Sequence, residues 1–188
     1  HEYLNPNLMW PGYTAESYTK NITREQCETE MAAHGHSVVE IAKTGNTWRY
    51  VQGGALNRRI SMLSTAMRVA GPAAGHPRLA TSADPSATRV IGTLSNCAGG
   101  VTPWGTVLIA EENFHGYFLG DANVGSEATA RKRYGISGRP RFLWGRHIER
   151  FNMDREPNEP NRFGWIVEID PYDPQSMPVK RKIGRAHV

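Results

Sequence analysis

Turn residues interrupt every apolar stretch of this chain, so it is predicted to form many short elements. Glycine and proline account for 19 and 12 of its 188 residues, and both are unfavourable inside helices. The intervening runs are rich in β-branched and aromatic residues, which are typical of strands. These runs are SVVEIA at 37–42, TWRYVQ at 47–52, RVIGTL at 89–94, TVLIAE at 106–111, GYFLG at 116–120 and FGWIVEIDP at 163–171. Their spacing predicts an all-β sandwich, barrel or propeller with one or two short helices.

One helix has clear boundaries in the sequence. Thr23 and Gln26 form a capping-box pattern, and good helix formers follow, so we predict a helix over 24–33. The other expectations are a hairpin joining 37–42 to 47–52, a short helix over 126–134, irregular structure over 1–20 and an ordered loop over 53–88.

The charge and cysteine content exclude several classes of protein. The formal net charge is only +4 and the basic residues are scattered, so we expect an anionic small molecule rather than nucleic acid as a partner. The basic residues at 58–59 and 180–182 are interpreted as solvated charges. Cys27 and Cys97 are the only cysteines, too few for a disulfide scaffold, and no bridge between them is expected. The given sequence contains no apolar run long enough to span a membrane and no stretch with the pattern of a signal segment.

The segment LSNCAGGVTPWGTVLIAEEN at 94–113 carries the strongest indication of a functional site. Cys97 offers a soft thiolate ligand, and the carboxylates that end the following strand are hard ligands, a combination that suits a transition metal beside a harder cation. The glycine-rich turn can return Cys97 towards the far end of that strand. Side chains alternate along a strand, so only one of Glu111 and Glu112 can share a site with Cys97, and spacing does not select which. The alternative is an inert cysteine with two solvated carboxylates.

Other polar residues are weaker candidates. Glu168 lies inside the apolar run WIVEI, where it either faces solvent or needs a cation or an arginine if both faces are covered. Among the histidines, only His76 in GPAAGHP is kept as a candidate site residue. The sequence contains no HExxH pair, P-loop, GxSxG turn or dinucleotide fingerprint, which lowers the weight of the enzyme classes that depend on them.

Several ordered motifs together resemble one known family, the PhoX-type alkaline phosphatases, a bacterial family also catalogued as a domain of unknown function. The motifs are EYLNPNLMWPGY at 2–13, EMAAHGHSVVEI at 30–41, NRRI at 57–60, GPAAGH at 71–76, NCAGGVTPWGT at 96–106, EEN at 111–113 and EPNEPNRFGWIVEIDP at 156–171. They run nearly from end to end of the chain.

The resemblance implies specific ligands and a specific reaction. Carried over by position, Cys97 is an iron ligand, and Glu112 and Glu168 are further metal ligands. The implied cofactors are iron (Fe3+) and calcium (Ca2+), and the implied reaction is hydrolysis of phosphomonoesters. Additional candidate site residues are Glu2, Glu111, Asn113, His76 and Arg59, and no catalytic residue is assigned.

The resemblance also implies an architecture and a location. We expect residues 1–188 to form a single domain that is part of a β-propeller, incomplete in this chain and truncated at both ends. Further acidic ligands and a phosphate-binding arginine would come from the longer family protein. Export through the twin-arginine route would make the protein periplasmic or secreted, and we expect a monomer.

Two other functions stay open at this stage. A propeller used only as a binding module would keep the turns for packing and leave its acidic residues solvated. A phosphodiesterase, or another metal-dependent ester hydrolase, would use the same cation cluster on a related substrate.

Overall fold

A computed structural model describes residues 1–181, and this part of the chain is mostly β, as predicted. It contains ten short strands, and its four α-helices exceed the one or two expected. The helices are α1 (Pro6–Met9), α2 (Ala15–Asn21), α3 (Arg24–Ala33) and α4 (Ala128–Arg133). The strands are β1 (Gly35–Val38), β2 (Ile41–Thr44), β3 (Thr47–Tyr50), β4 (Arg58–Ser61), β5 (Ala66–Ala70), β6 (Arg89–Ile91), β7 (Asn96–Val101), β8 (Val107–Glu111), β9 (Ile166–Ile169) and β10 (Val179–Arg181).

Six of the strands form one sheet in the order β6-β5-β10-β9-β8-β7. Strands β5 and β10 run parallel, and every other neighbouring pair is antiparallel. Strands β7 to β10 therefore follow one another in sequence and in space as a four-stranded antiparallel meander. Four-stranded sheets of this kind are the repeating unit of propellers, so the sheet is consistent with a partial propeller-type fold.

The remaining strands form two separate pairs. Strands β2 and β3 make the predicted hairpin, but the first half of the run 37–42 belongs to β1, which pairs with β4. Strands β4 and β5 lie within the region 53–88, so the prediction of a loop there was wrong. Both strands are stabilised by partners distant in sequence, which local composition does not reveal.

Both helices predicted from the sequence were confirmed. Helix α3 has the predicted bounds, and Thr23 and Gln26 form its reciprocal capping box. Helix α4 lies within the predicted 126–134. Residues 1–20 are not irregular, because α2 begins at a second capping box, formed by Thr14 and Ser17. The run 116–120 is not a strand, since Phe114–Tyr117 forms a 3-10 turn.

The core is aromatic and includes one buried histidine. Trp144, Tyr117 and Phe142 surround His34, whose ring makes edge contacts with all three at centroid distances of 5.0–5.5 Å. The His34 ring also bonds the Tyr117 hydroxyl at 2.9 Å and the Glu30 carbonyl at 2.6 Å. This network packs the end of α3 against the segment that follows β8.

Two of the basic residues that were interpreted as solvated, Arg58 and Lys180, are instead bound within the fold. Lys180 is fully buried, and its Nζ lies 2.6 Å from Oε1 of Glu111 and 3.9 Å from the centre of the Phe163 ring. Arg58 donates hydrogen bonds to the carbonyls of Asp170 at 2.6 Å and Ser176 at 2.8 Å. These partners come from β8 and from the turn after β9, which the sequence does not place beside them. Lys182 lies outside the described residues.

Among residues 1–181, no helix is both long enough and apolar enough to cross a membrane. Cys27 and Cys97 are both free, as expected.

Candidate metal centre

A β-bulge lies in the strand that carries Cys97. The ladder between β7 and β8 pairs Asn96 with Glu111, then shifts before Gly99 pairs with Ile109. Two residues of β7 therefore oppose one residue of β8, and Cys97 is the first of the two. Bulges bend a strand and redirect the side chains within it.

The bulge decides which glutamate Cys97 can reach. With regular pairing continued from Gly99, Cys97 would stand opposite Glu111 and share its face of the sheet. Asn96 takes that place instead and is buried with Glu111. Cys97 is exposed on the other face, beside Glu112.

Three potential ligands meet at this point. One oxygen each from Glu2 and Glu112 and the sulfur of Cys97 all lie within 4.8 Å of one another. Glu2 reaches the cluster because the carbonyl of His1 accepts a hydrogen bond from the Gly35 amide at 3.0 Å, which fixes the chain start against β1. One thiol and two carboxylates thus converge from two distant parts of the sequence, the first residues and the β7–β8 hairpin.

The cluster concentrates negative charge. The charge of Glu112 raises the pKa of the Cys97 thiol, with smaller contributions in the same direction from desolvation and from Glu2. Burial raises the pKa of Glu2, and its hydrogen bond with Glu112 and the charge of Glu112 raise it further. A cation between the three groups would convert this repulsion into attraction. The donor set therefore fits a metal ion, and its mixture of soft and hard ligands suits a transition metal beside a harder cation.

Local backbone contacts hold Glu112 in place. Its amide donates to the Ser95 carbonyl at 3.0 Å, and the Asn113 side-chain amide donates to Oε1 of Glu112 at 2.9 Å. Ser95 and Asn113 both have left-handed backbones, with φ of 46° and 47°. Such conformations are costly for residues other than glycine and cluster at functional sites. Both strained residues flank the two ligands that the hairpin supplies.

A pocket of about 250 Å³ adjoins the cluster. Glu2 belongs to both, and Ser95 and Asn113 form part of the pocket wall. The other lining residues are Tyr3, His115, Gly116, Tyr117, Arg141 and Phe142. The pocket thus joins the anionic ligands to a wall that carries aromatic rings, a guanidinium and an imidazole.

Glu111 has a different role in the structure. Its carboxylate forms the buried ion pair with Lys180 and accepts hydrogen bonds from Thr93 Oγ1 at 2.8 Å and from the Trp165 amide at 3.1 Å. The two adjacent glutamates therefore serve opposite faces, Glu111 in the core and Glu112 in the cluster.

Glu168 lies in the same sheet but away from the cluster. It pairs with Leu108, four residues before Glu112, which corresponds to about 13 Å along the strand. It is buried, and it ion-pairs with Arg181. Its other hydrogen bonds come from Trp104 Nε1 at 3.1 Å and Thr106 Oγ1 at 2.8 Å. Although burial opposes ionisation of Glu168, these three donors outweigh it and hold the pKa below the usual range. A role for Glu168 as a metal ligand stays a prediction.

Two further candidates from the sequence also lie elsewhere. His76 caps a 3-10 turn, where its Nδ1 accepts a hydrogen bond from the Arg78 amide at 3.2 Å. Arg59 donates to the carbonyls of Ala32 at 2.8 Å and His34 at 3.0 Å, at the end of α3. Neither residue belongs to the cluster or lines the pocket.

Most of the pocket wall could not be predicted from the sequence. Tyr3, His115 and Arg141 were not among its candidates, although Tyr3 adjoins Glu2 and His115 follows the EEN motif closely. Arg141 lies in a proline-containing stretch without periodicity, and no local pattern points to it. Only the folded chain brings these residues beside the cluster.

Two comparisons with known proteins found matches that cover nearly the whole chain. The profile of the family described as alkaline phosphatase PhoX matches residues 1–187. Among solved structures, the chain is similar to Pseudomonas fluorescens PhoX in complex with vanadate, a transition state analogue, with 43% sequence identity and a TM-score of 0.86. The similarity covers 95% of this chain but only 30% of the Pseudomonas chain. A comparison with curated proteins found no match.

The two matches agree in extent, because each covers nearly the whole of this sequence. The profile spans every motif on which the resemblance rests, from EYLNPNLMWPGY to WIVEIDP. We conclude that this chain belongs to the PhoX alkaline phosphatase family.

Proposed function

We propose that the protein containing this chain is a metal-dependent phosphatase that hydrolyses phosphomonoesters. The observation that carries the proposal is the convergence of Glu2, Cys97 and Glu112 beside a pocket, in a member of a phosphatase family. The vanadate bound by the Pseudomonas relative, a transition state analogue, supports a phosphate ester as the substrate. This chain spans 30% of that relative, so the activity is proposed for the whole protein.

The three clustered side chains would hold the metal. The Cys97 thiolate suits iron, and the carboxylates of Glu2 and Glu112 suit iron or calcium. Bound cations would neutralise the charge of the phosphate and act as Lewis acids on its oxygens. Glu168 is proposed as a ligand at a second position in the sheet, where a cation would have to replace or join Arg181.

The surrounding residues have supporting roles. Asn113 holds the Glu112 carboxylate in one orientation by its hydrogen bond of 2.9 Å, as outer-shell residues commonly do around metals. The bulge supplies the thiol and the hairpin end supplies the carboxylate, so both ligands stand on a sheet rather than on a mobile loop. The adjoining pocket admits a group the size of a phosphate with a small alcohol.

The architecture and location are proposed along with the activity. Residues 1–188 would form one partial propeller domain. By analogy with the family, we propose that the protein is monomeric and is exported to the periplasm or secreted. Fractionation of cells that express the protein with its natural leader tests the location, and a cytoplasmic protein would contradict it.

Assays with two substrates test the proposed reaction. We expect the purified protein, supplied with iron and calcium, to hydrolyse 4-nitrophenyl phosphate faster than bis(4-nitrophenyl) phosphate. A chelator should abolish the activity, and added metal should restore it. Faster turnover of the diester would favour a phosphodiesterase. No turnover of either ester, with a melting temperature that chelators do not change, would favour a binding module.

A further inference from the structure

Among the residues described as lining the pocket, Arg141 is the only arginine. Its guanidinium makes cation–π contacts with two aromatic rings. Its central carbon lies 5.0 Å from the centre of the Tyr3 ring and 5.3 Å from that of Phe142. The Phe142 amide donates to the Gly116 carbonyl at 3.0 Å, which fixes the backbone beside it. These contacts limit the side chain to the pocket wall, since cation–π contacts are directional.

The Arg141 side chain is exposed, as is that of Arg139, but of the two only Arg141 lines the pocket. Within residues 1–181, no protein acceptor forms a hydrogen bond or ion pair with the Arg141 side chain. Arg131, by contrast, donates to three carbonyls, and Arg59 donates to carbonyls at the end of α3. A guanidinium has five N–H donors in a planar fork. Those of Arg141 line a pocket and are available to a ligand.

The position of Arg141 defines the ligand it would take. Arg141 and Glu2 line the same pocket, so the guanidinium shares a wall with one member of the anionic cluster. The planar guanidinium can donate two parallel hydrogen bonds to two oxygens of one phosphate. The ammonium group of a lysine acts as a point charge and lacks this geometry. A phosphate held by cations at Glu2, Cys97 and Glu112 would have Arg141 within the same pocket.

We infer that Arg141 is a substrate-binding residue that donates hydrogen bonds to the phosphate oxygens of the ester. This inference rests on the proposed function and adds to it a binding residue from this part of the chain. The Tyr3 and Phe142 rings act as positioning residues, because they orient the guanidinium without contact with the phosphate.

The test combines direct binding of vanadate with hydrolysis of 4-nitrophenyl phosphate, both on the metal-loaded protein. Three variants of one position separate charge, fork geometry and stacking: Arg141→Ala, Arg141→Lys and Arg141→Met. Arg139→Ala is the matched control, because Arg139 is exposed, lies two residues away and does not line the pocket. Metal content and melting temperature are measured for every variant to detect misfolding.

We expect Arg141→Ala and Arg141→Met to weaken vanadate binding by about 10- to 100-fold, the range for loss of a charge-assisted hydrogen bond. Metal content should stay at the wild-type level. Arg141→Lys should recover only part of the affinity, because an ammonium has no fork. Arg139→Ala should bind as the wild type does.

The two readouts separate failure of this inference from failure of the proposed function. Equal vanadate affinity in wild type and Arg141→Ala, with hydrolysis intact, would overturn the inference and leave the proposed function standing. Vanadate binding that requires Arg141, without hydrolysis of the ester, would support the inference and overturn the proposed function. A metal-loaded wild type that binds no vanadate would overturn both.

Discussion

Cys97 and Glu112 lie on the same face of the β7–β8 hairpin because the strand of Cys97 contains a bulge. Without the extra residue, the thiol would face the Glu111 side of the sheet, where Lys180 already occupies the core. The extra residue in β7 thus lets Cys97 lie beside Glu112, the proposed ligand, while the adjacent Glu111 stays in the core. This division of roles between Glu111 and Glu112 leads to different expectations for the two positions.

Removal of the Glu112 charge should affect metal binding and leave the fold intact. Loss of an outer-shell partner typically lowers metal affinity by about 10- to 100-fold. Because Glu112 is proposed as a direct ligand, we expect Glu112→Gln to lower metal affinity by at least this much. The melting temperature of the metal-free protein should change little, since Glu112 is only half-buried. Metal titration followed by elemental analysis measures the effect. Glu16→Gln on an exposed helix is the control, and wild-type affinity in Glu112→Gln would contradict the assignment.

The buried pair of Glu111 and Lys180 should contribute to stability. Lys180→Met leaves the Glu111 carboxylate buried without its cation, and loss of one partner of a buried pair costs about 3–5 kcal/mol. The double variant with Glu111→Gln should recover part of that free energy of unfolding. Lys20→Met is the matched control: its exposed partner Glu16 also lies at 2.6 Å, and exposed pairs contribute at most about 1 kcal/mol. Urea denaturation that shows equal losses for Lys180→Met and Lys20→Met would refute the interpretation.

Lys180 shows why part of the fold could not be predicted from the sequence. Three basic residues in a row are typical of a solvated stretch, yet Lys180 is fully buried. Its burial depends on β10 pairing between β5 and β9 and on the carboxylate that β8 presents to it. By contrast, α3 could be predicted to the residue, because its capping box and its helix formers are all local.

The Asn113 side chain should tune the metal site through Glu112. Asn113→Gly removes the amide donor and keeps a residue that tolerates the left-handed φ of 47°. We expect a 10- to 100-fold loss of metal affinity with little change in stability. Asn113→Ala should show the same loss of affinity and an additional destabilisation of about 1 kcal/mol from backbone strain. If both variants bind metal as the wild type does, the hydrogen bond does not support the ligand.

Stability should fall in mildly acidic solution because of His34. Burial lowers the pKa of this ring from 6.5 to about 4, so the unfolded chain takes up a proton that the folded chain excludes. The His34 contribution is therefore fully present above pH 6.5 and is lost as the pH falls towards 4, by at most about 3 kcal/mol. Glu30 contributes with the opposite sign, because burial raises its pKa.

Comparison of variants isolates the His34 contribution. The free energy of unfolding is measured by urea denaturation at several pH values for the wild type and for His34→Gln, which both contain Glu30. The difference between them should change steeply between pH 6.5 and 4 and stay constant at higher pH. A difference that does not depend on pH would show that the ring is not excluded from protonation.

The types of ligand in the candidate site could be predicted from the sequence, but only some of the residues that form the site could be. Alternation along β8 showed that one glutamate alone could join Cys97, but the choice depended on a bulge, which arises from the pairing of two strands. Glu2 and Arg141 reach the pocket through long-range contacts at the chain start and after α4. Such approaches have no periodic signature in a single sequence.

The central claim is that Glu2, Cys97 and Glu112 hold a metal ion, and the iron and calcium content of the purified protein tests it most directly. We predict that the wild type contains iron and that Cys97→Ser loses most of it. Cys27→Ala, the matched control that removes the chain's other cysteine, should contain as much iron as the wild type. Equal iron in wild type and Cys97→Ser, or no iron or calcium in the wild type after incubation with both, would contradict the account.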